Sequence, residues 1–122
     1  MNESNLPSRI SILVLGVSSI QKSAAFYREA LGMEVNAPSE ALAFVSLSGI
    51  TLMLSAELGK TAEPLAGATE FVFPVESVTR SHAMLRDRGC HFIRPPREVT
   101  PGSWAATFTD PDQHKLTVFG SR

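Results

Sequence analysis

Residues 17–32 read VSSIQKSAAFYREALG, and residues 75–89 read VESVTRSHAMLRDRG. A shift of 58 positions lays the first stretch on the second. Val17 then falls on Val75, Ser19 on Ser77, Ser23 on Ser81, Ala25 on Ala83 and Arg28 on Arg86. The positions between hold matched types: Ile20 with Val78, Lys22 with Arg80, Phe26 with Met84, Glu29 with Asp87. Self-similarity at a fixed spacing marks repeated supersecondary units. The chain therefore reads as an internal duplication, and each copy can be parsed with the same grammar.

In the first copy, Arg9 to Val17 is apolar and β-branched, bounded by Pro7 and Ser18, which predicts a strand. Ser18 or Ser19 can cap the following helix. Ile20, Ala24, Tyr27 and Leu31 lie on one face of that helix. Gly32 supplies the left-handed stop. Met33 to Asn36 is a short strand and Pro38 to Glu40 a loop. Ala43 to Leu47 and Ile50 to Ser55 are strands joined by the hairpin signal Ser48-Gly49. The second copy repeats this order: strand Thr69 to Val75, helix Ser77 to Arg88 ended by Gly89, and short strand Cys90 to Ile93. PPREVTPG is assigned to a loop, because Pro95, Pro96 and Pro101 cannot serve a strand interior. Trp104 to Thr109 and Lys115 to Phe119 close the copy, joined by the turn Asp110-Pro111-Asp112-Gln113. Both copies read βαβββ, at residues 9–56 and 68–120. Residues 57–67, with Gly59, Pro64, Gly67 and no periodicity, are assigned to the linker. Residues 1–8 are expected to form a flexible tail, and 9–122 a single domain.

The 122 residues suffice for one core. Hydrophobic residues make up 43% and charged residues 19%, ordinary for a globular chain. The net charge is −1 and no basic run exceeds two residues, so nucleic acid and anionic membranes have no electrostatic foothold. No apolar run is long enough to span a bilayer. The leader MNESNLPS lacks the apolar stretch of a signal peptide. Cys90 stands alone, which rules out an internal disulfide and fits a reducing cytoplasm.

Three stretches, LGVSSIQKSAAFYREALGMEV, FVFPVESVTRSHAMLRDRGCHFIRPPRE and FTDPDQHKLTVF, resemble the vicinal oxygen chelate superfamily of glyoxalase I, extradiol dioxygenases, and fosfomycin- and bleomycin-resistance proteins. The resemblance runs from Arg9 to Phe119. Gln113 stands where glycine is more usual in the last turn, a change not expected to disturb the fold. The resemblance implies an α+β fold: tandem βαβββ modules forming a curved mixed sheet, helices outside, with a concave small-molecule cavity. It also implies a homodimer with its site at a module or subunit interface.

In metal-using relatives, inward-facing side chains of the first and fourth strands of each module hold the ion. The repeat places those positions at Ile12 and Glu70, and at Met53 and Thr117. A hard or borderline divalent ion wants imidazole and carboxylate ligands. Of these four residues only Glu70 is a credible ligand, so the usual metal site is expected to be absent and no cofactor is expected. His82 is assigned to the surface, His91 to a half-exposed strand start, and His114 to a solvated turn. No pair among them has ligand spacing.

Strand alternation puts Ile10, Ile12 and Val14 on one face, and Leu13, Leu15 and Val17 on the other. In the second copy Glu70, Val72 and Pro74 share a face opposite Phe71, Phe73 and Val75. The cavity is then mostly apolar, with one acid and a few hydroxyls, which suits an organic ligand. Glu70 is either a buried acid able to take a proton or pair with a cation, or a solvated strand residue. Trp104 either stacks on a planar ligand or packs in the core or a dimer contact. Phe44 and Phe119 are ambiguous in the same way, with core favoured. Met53 is a compliant wall or core filler. Tyr27 is assigned to the core, and Cys90 to a buried, inert thiol. Two functions follow. One is metal-free binding or sequestration of a small organic molecule, as in bleomycin-resistance members, although a net charge of −1 makes cationic bleomycin itself unconvincing. The other is a lyase or isomerase using Glu70 as general base or a relocated metal site.

Overall fold

A computed structural model of the chain describes residues 8, 10–61 and 69–122. Residues 1–7 of the expected tail and 62–67 of the expected linker therefore lie outside the described residues. The first half contains β1 (Ile12–Gly16), α1 (Ile20–Ala25), β2 (Glu34–Asn36), β3 (Leu42–Leu47), β4 (Ile50–Ser55) and α2 (Ala56–Thr61). The second contains β5 (Glu70–Ser77), α3 (Val78–Asp87), β6 (His91–Thr100), β7 (Ser103–Thr109) and β8 (Lys115–Ser121).

The strands build two four-stranded mixed sheets of one topology, β1-β4-β3-β2 and β5-β8-β7-β6. In each, the first strand runs parallel to the last and the others pair antiparallel. A parallel pairing needs a crossover, and α1 and α3 begin those crossovers. The duplicated serines do the same work in both copies. Ser19 Oγ accepts the amide of Lys22 and Ser77 Oγ that of Arg80, each at 3.2 Å. Gly32 and Gly89 follow the helices at φ 69° and 90°, a left-handed conformation that costs glycine nothing. Beyond Ala25, helix α1 widens into a π turn, Phe26–Ala30, closed by Leu31 N–H on the Phe26 carbonyl at 3.3 Å. The assigned face survives that widening: Ile20, Ala24 and Tyr27 are buried.

Two element assignments are corrected. Most of PPREVTPG is not a loop: β6 continues through Thr100, and only Pro101 and Gly102 turn. β6 is an edge strand, and its pairing with β7 shifts register three times, including between Arg94 and Arg97, where Pro95 and Pro96 sit. Edges and bulges are where proline is tolerated in a sheet. The start of the linker is helical instead. Ser55 Oγ accepts the Leu58 amide at 3.0 Å to begin α2. Gly59 is there for space, since a Cβ would run into the Val17 carbonyl oxygen.

One apolar cluster spans both halves, with Leu15, Val17, Tyr27, Val45 and Leu54 from the first and Val78, Phe108, Leu116 and Val118 from the second. A polar fastening crosses with it, built on the β7–β8 turn. Tyr27 donates its hydroxyl to Asp110 Oδ2 at 2.9 Å, and the Asp112 carboxylate accepts the Ser18 amide at 3.1 and 3.2 Å. His114, assigned to solvent from the sequence, is buried, with Nε2 2.8 Å from the Gly16 carbonyl oxygen. The turn folds back over β1 and α1, so the polar residues that form it are enclosed. Burial pushes the Asp110 carboxyl up from its ordinary range, against the opposing pull of His114, the amides it accepts and Tyr27. Burial, and then the neighbouring Asp110 charge, pushes the Tyr27 phenol far up, so it remains a donor. Gln113 holds φ 73° in this turn, which explains why glycine suits that position.

Candidate functional site

The face of each sheet turned away from the helices offers the site. On β1, Leu15 is buried while Ile12 and Val14 are 49% and 37% exposed. On β5, Phe71, Phe73 and Val75 are half-buried while Glu70, Val72 and Pro74 are exposed. The alternation expected from the sequence therefore holds on both strands.

The second sheet carries the polar part. Thr117 on β8 lies in register with Val72 on one side and Thr107 on the other. Its Oγ1 donates to Glu70 Oε2 at 2.7 Å and lies 2.8 Å from Thr107 Oγ1. A threonine hydroxyl has one hydrogen. Thr117 gives that hydrogen to Glu70, so Thr107 must donate to Thr117. The chain Thr107 to Thr117 to Glu70 is therefore directional, and its unused positions are all acceptors. Both threonines are buried, whereas Glu70, at the strand start, is exposed. A hollow of about 280 Å³ opens over this chain, lined by Thr69, Glu70, Ile93, Arg94, Thr107 and Lys115. A second hollow of about 260 Å³ lies where β1 and β5 approach, with Leu13, Leu52, Phe71 and Phe73 in its walls and Glu70 at its edge.

The residues singled out from the sequence divide among these surfaces. Glu70 and Thr117 come together through their hydrogen bond. Met53 lies in register with Val14 on β1 and Phe44 on β3, so Met53, Phe44 and Ile12 form an apolar stretch on the first sheet. Phe119 is 39% exposed, in register with Pro74 and Ala105, beyond Thr117 on the same face. Trp104 is placed on the helix-covered side, packed against the core, with the Arg122 guanidinium 5.2 Å from its ring centroid. His82 packs edge-on against Phe92 at 4.5 Å, and burial and then Arg86 hold its pKa low. Cys90 is buried and its thiol is pushed up by that burial, matching the inert reading. Among the described residues, no three His, Cys, Asp or Glu side chains group as a metal site.

Arg94 and Arg97 were missed, because two prolines between them drew the segment into a loop. Arg94 lies opposite Thr107 and Arg97 opposite Ala105, so both belong to the face that carries Thr117. The signal available was the sequence RPPR itself, two cations bracketing an irregular edge.

A family model described as Glyoxalase/Bleomycin resistance protein/Dioxygenase superfamily matches residues 9–118. No curated protein matches the chain. Among solved structures, a glyoxalase-related enzyme from Fulvimarina pelagi superposes with a TM-score of 0.81 at 19% identity, over 94% of this chain and 89% of that one. TnmS3, an antibiotic binding protein from Streptomyces sp. CB03234, superposes at 0.75 with 21% identity, over 95% of this chain and 98% of that one. A lactoylglutathione lyase from Agrobacterium tumefaciens gives 0.75 and 19%, over 93% and 94%. At such identities the structural likeness speaks for the fold alone, and it fits two like sheets with helices on one side. The family match runs through both sheets and both duplicated segments, and the chain belongs to the glyoxalase/bleomycin resistance protein/dioxygenase superfamily.

Proposed function

We propose that this protein binds a small organic molecule on the face away from its helices, and does so without a metal ion. The observation that carries the reading is the Thr107–Thr117–Glu70 chain. Glu70 and Thr117 occupy the second-sheet places where the family resemblance puts metal ligands, and here they are hydrogen-bonded to each other. The first-sheet counterparts are Ile12, which has no donor atom, and Met53, a soft thioether. That donor set does not fit a hard or borderline divalent ion. It does suit a hollow with a few fixed polar groups and apolar flanks. The antibiotic-binding neighbour is a binding protein of the same fold, which supports the reading by analogy.

The exposed apolar residues Ile10, Ile12, Val14, Val72 and Phe119 support assembly as a homodimer that encloses this face. The single, buried, free Cys90 supports a reducing, cytoplasmic location. The test is metal retention after incubation with excess Zn²⁺, Ni²⁺, Mn²⁺ and Fe²⁺ and removal of free ion, followed by a ligand screen read as thermal stabilisation. Sub-stoichiometric metal with at least one stabilising organic ligand is expected. Near-stoichiometric metal would overturn the reading. Turnover that is lost in Glu70→Gln while binding persists would replace it with base catalysis.

A further inference from the structure

We infer that the ligand is a small organic acid that carries a hydroxyl or amino donor near its carboxylate. The inference rests on the reading of this face as an organic-ligand site and names the class of molecule. Three observations carry it.

The first is charge. The hollow over the threonine pair is lined by Arg94 and Lys115 against a single carboxylate, Glu70. Arg97 follows Arg94 on the same face, because three steps along β6 answer two along β7, from Thr107 to Ala105. None of the three cations has an ion-pair partner among the described residues. The surplus is positive, while the whole chain is at −1.

The second is an orphan. Arg97 Nη1 is buried and has no hydrogen-bond partner among the described residues. Buried polar atoms in native proteins nearly always have one, and a guanidinium N–H withdrawn from water without an acceptor is costly. A carboxylate is the acceptor a guanidinium fork fits best. The β6 bulge at Pro95-Pro96 is what turns both arginines onto one face, and bulges commonly re-aim side chains in this way.

The third is the direction of the hydrogen-bond chain. Thr107 donates to Thr117 and Thr117 to Glu70, so the hollow offers acceptors at Thr107 and Glu70. A molecule seated there satisfies them with a donor, while its carboxylate faces Arg94 and Lys115 in the wall, with Arg97 next along the same face of β6. Glu70 also decides against a phosphate, whose second negative charge it would repel. Ile93, 43% exposed in the wall, accommodates an apolar body.

The test is titration calorimetry of the full chain. The panel contains small hydroxy and amino acids, from lactate to 3-phenyllactate and phenylalanine. Each is run beside its amide, which lacks the charge, and beside the acid lacking the hydroxyl or amine. At least one hydroxy or amino acid should bind, with its amide weaker by about tenfold or more. Arg94→Met and Arg97→Met should each lose that binding, and Arg97→Lys should keep part of it. Arg97→Met should not lower the melting temperature, since it removes an unsatisfied buried group. Equal binding of acids and amides, or unchanged binding in both methionine variants, would overturn the inference. So would failure of every acid. If amides or amines bind where acids do not, the organic-ligand reading stands and only the class is wrong. If the whole panel fails and metal is retained at stoichiometry, both fall.

Discussion

Tyr27→Phe removes one oxygen from the middle of the molecule. The phenol is fully buried, its ring packs edge-on against Phe26 at 5.2 Å, and its hydroxyl donates to Asp110 Oδ2 at 2.9 Å. Phenylalanine keeps the ring contacts, so the loss isolates the hydrogen bond. Asp110 Oδ1 still accepts the amides of Asp112 and His114. Oδ2 loses its donor inside the core. A hydrogen bond to a charged group contributes about 1.5–3 kcal/mol, and one between neutral groups about 0.5–1.5 kcal/mol. The penalty must therefore depend on pH. Burial raises the folded-state pKa of Asp110 above its ordinary 3.8, so its contribution to stability is greatest below that value and is lost as pH rises through the folded pKa. The Tyr27 bond opposes that rise, and without it the folded pKa climbs further and the loss extends to higher pH. Tyr27→Phe should cost about 2 kcal/mol at neutral pH, with a charged acceptor, and about half that near pH ~3, below the ordinary carboxylate value, where the raised pKa keeps Asp110 protonated. Urea unfolding at the two pH values measures this directly. An equal loss at both, or a loss below ~0.5 kcal/mol at neutral pH, would refute the assignment of a charged acceptor.

Other perturbations follow from the same geometry. Ser19→Ala and Ser77→Ala should each cost about 1 kcal/mol by denaturant unfolding, since both serines cap a helix at the same distance; Ser77 should cost slightly more, because it also donates to the Arg122 carbonyl at 2.7 Å. Gln113→Gly relieves a left-handed φ of 73° and should stabilise by up to ~1 kcal/mol; a melting temperature that falls instead would show that the Gln113 side chain matters to the turn. Thr117→Val breaks the chain between Thr107 and Glu70 and should cost about 1–2 kcal/mol, with recovery in a double variant that also carries Thr107→Val.

Much of the fold was legible because local physics and global fold agreed at the duplicated positions. The capping serines, the terminal glycines and the period-two faces of β1 and β5 each read correctly without tertiary context. What failed did so for identifiable reasons. Pro95 and Pro96 forbid a regular interior strand, but an edge strand with bulges is exempt, and no local rule reveals that a strand lies at an edge. Gly59 reads as a loop breaker until β1 is known to pass close to it. His114 reads as solvated, and Asp110 and Asp112 as ordinary turn residues, because a polar turn usually faces water. Their burial depends on Tyr27, and the shift by 58 places Leu85 there in the second copy, so the repeat carries no hint of the bond. The candidate site was half legible for the same reason: the family resemblance, placed by the repeat, pointed to Glu70 and Thr117, whereas Arg94 and Arg97 depend on an irregularity that the first sheet's register does not show.

The fastening between the halves has a consequence for how the chain comes to be folded. Its bonds join residues 83, 94 and 98 positions apart, Tyr27 to Asp110, Ser18 to Asp112 and His114 to Gly16. Contacts that distant cost loop-closure entropy before they return anything, and they form slowly. During synthesis the first sheet emerges with the Tyr27 hydroxyl and the Ser18 amide still facing water, and their acceptors arrive only with the β7–β8 turn. The first half alone is thus a state that buries its apolar residues incompletely and awaits a latch. A nascent chain stalled before Asp110 should be protease-sensitive in α1, and release past His114 should protect both halves in one step.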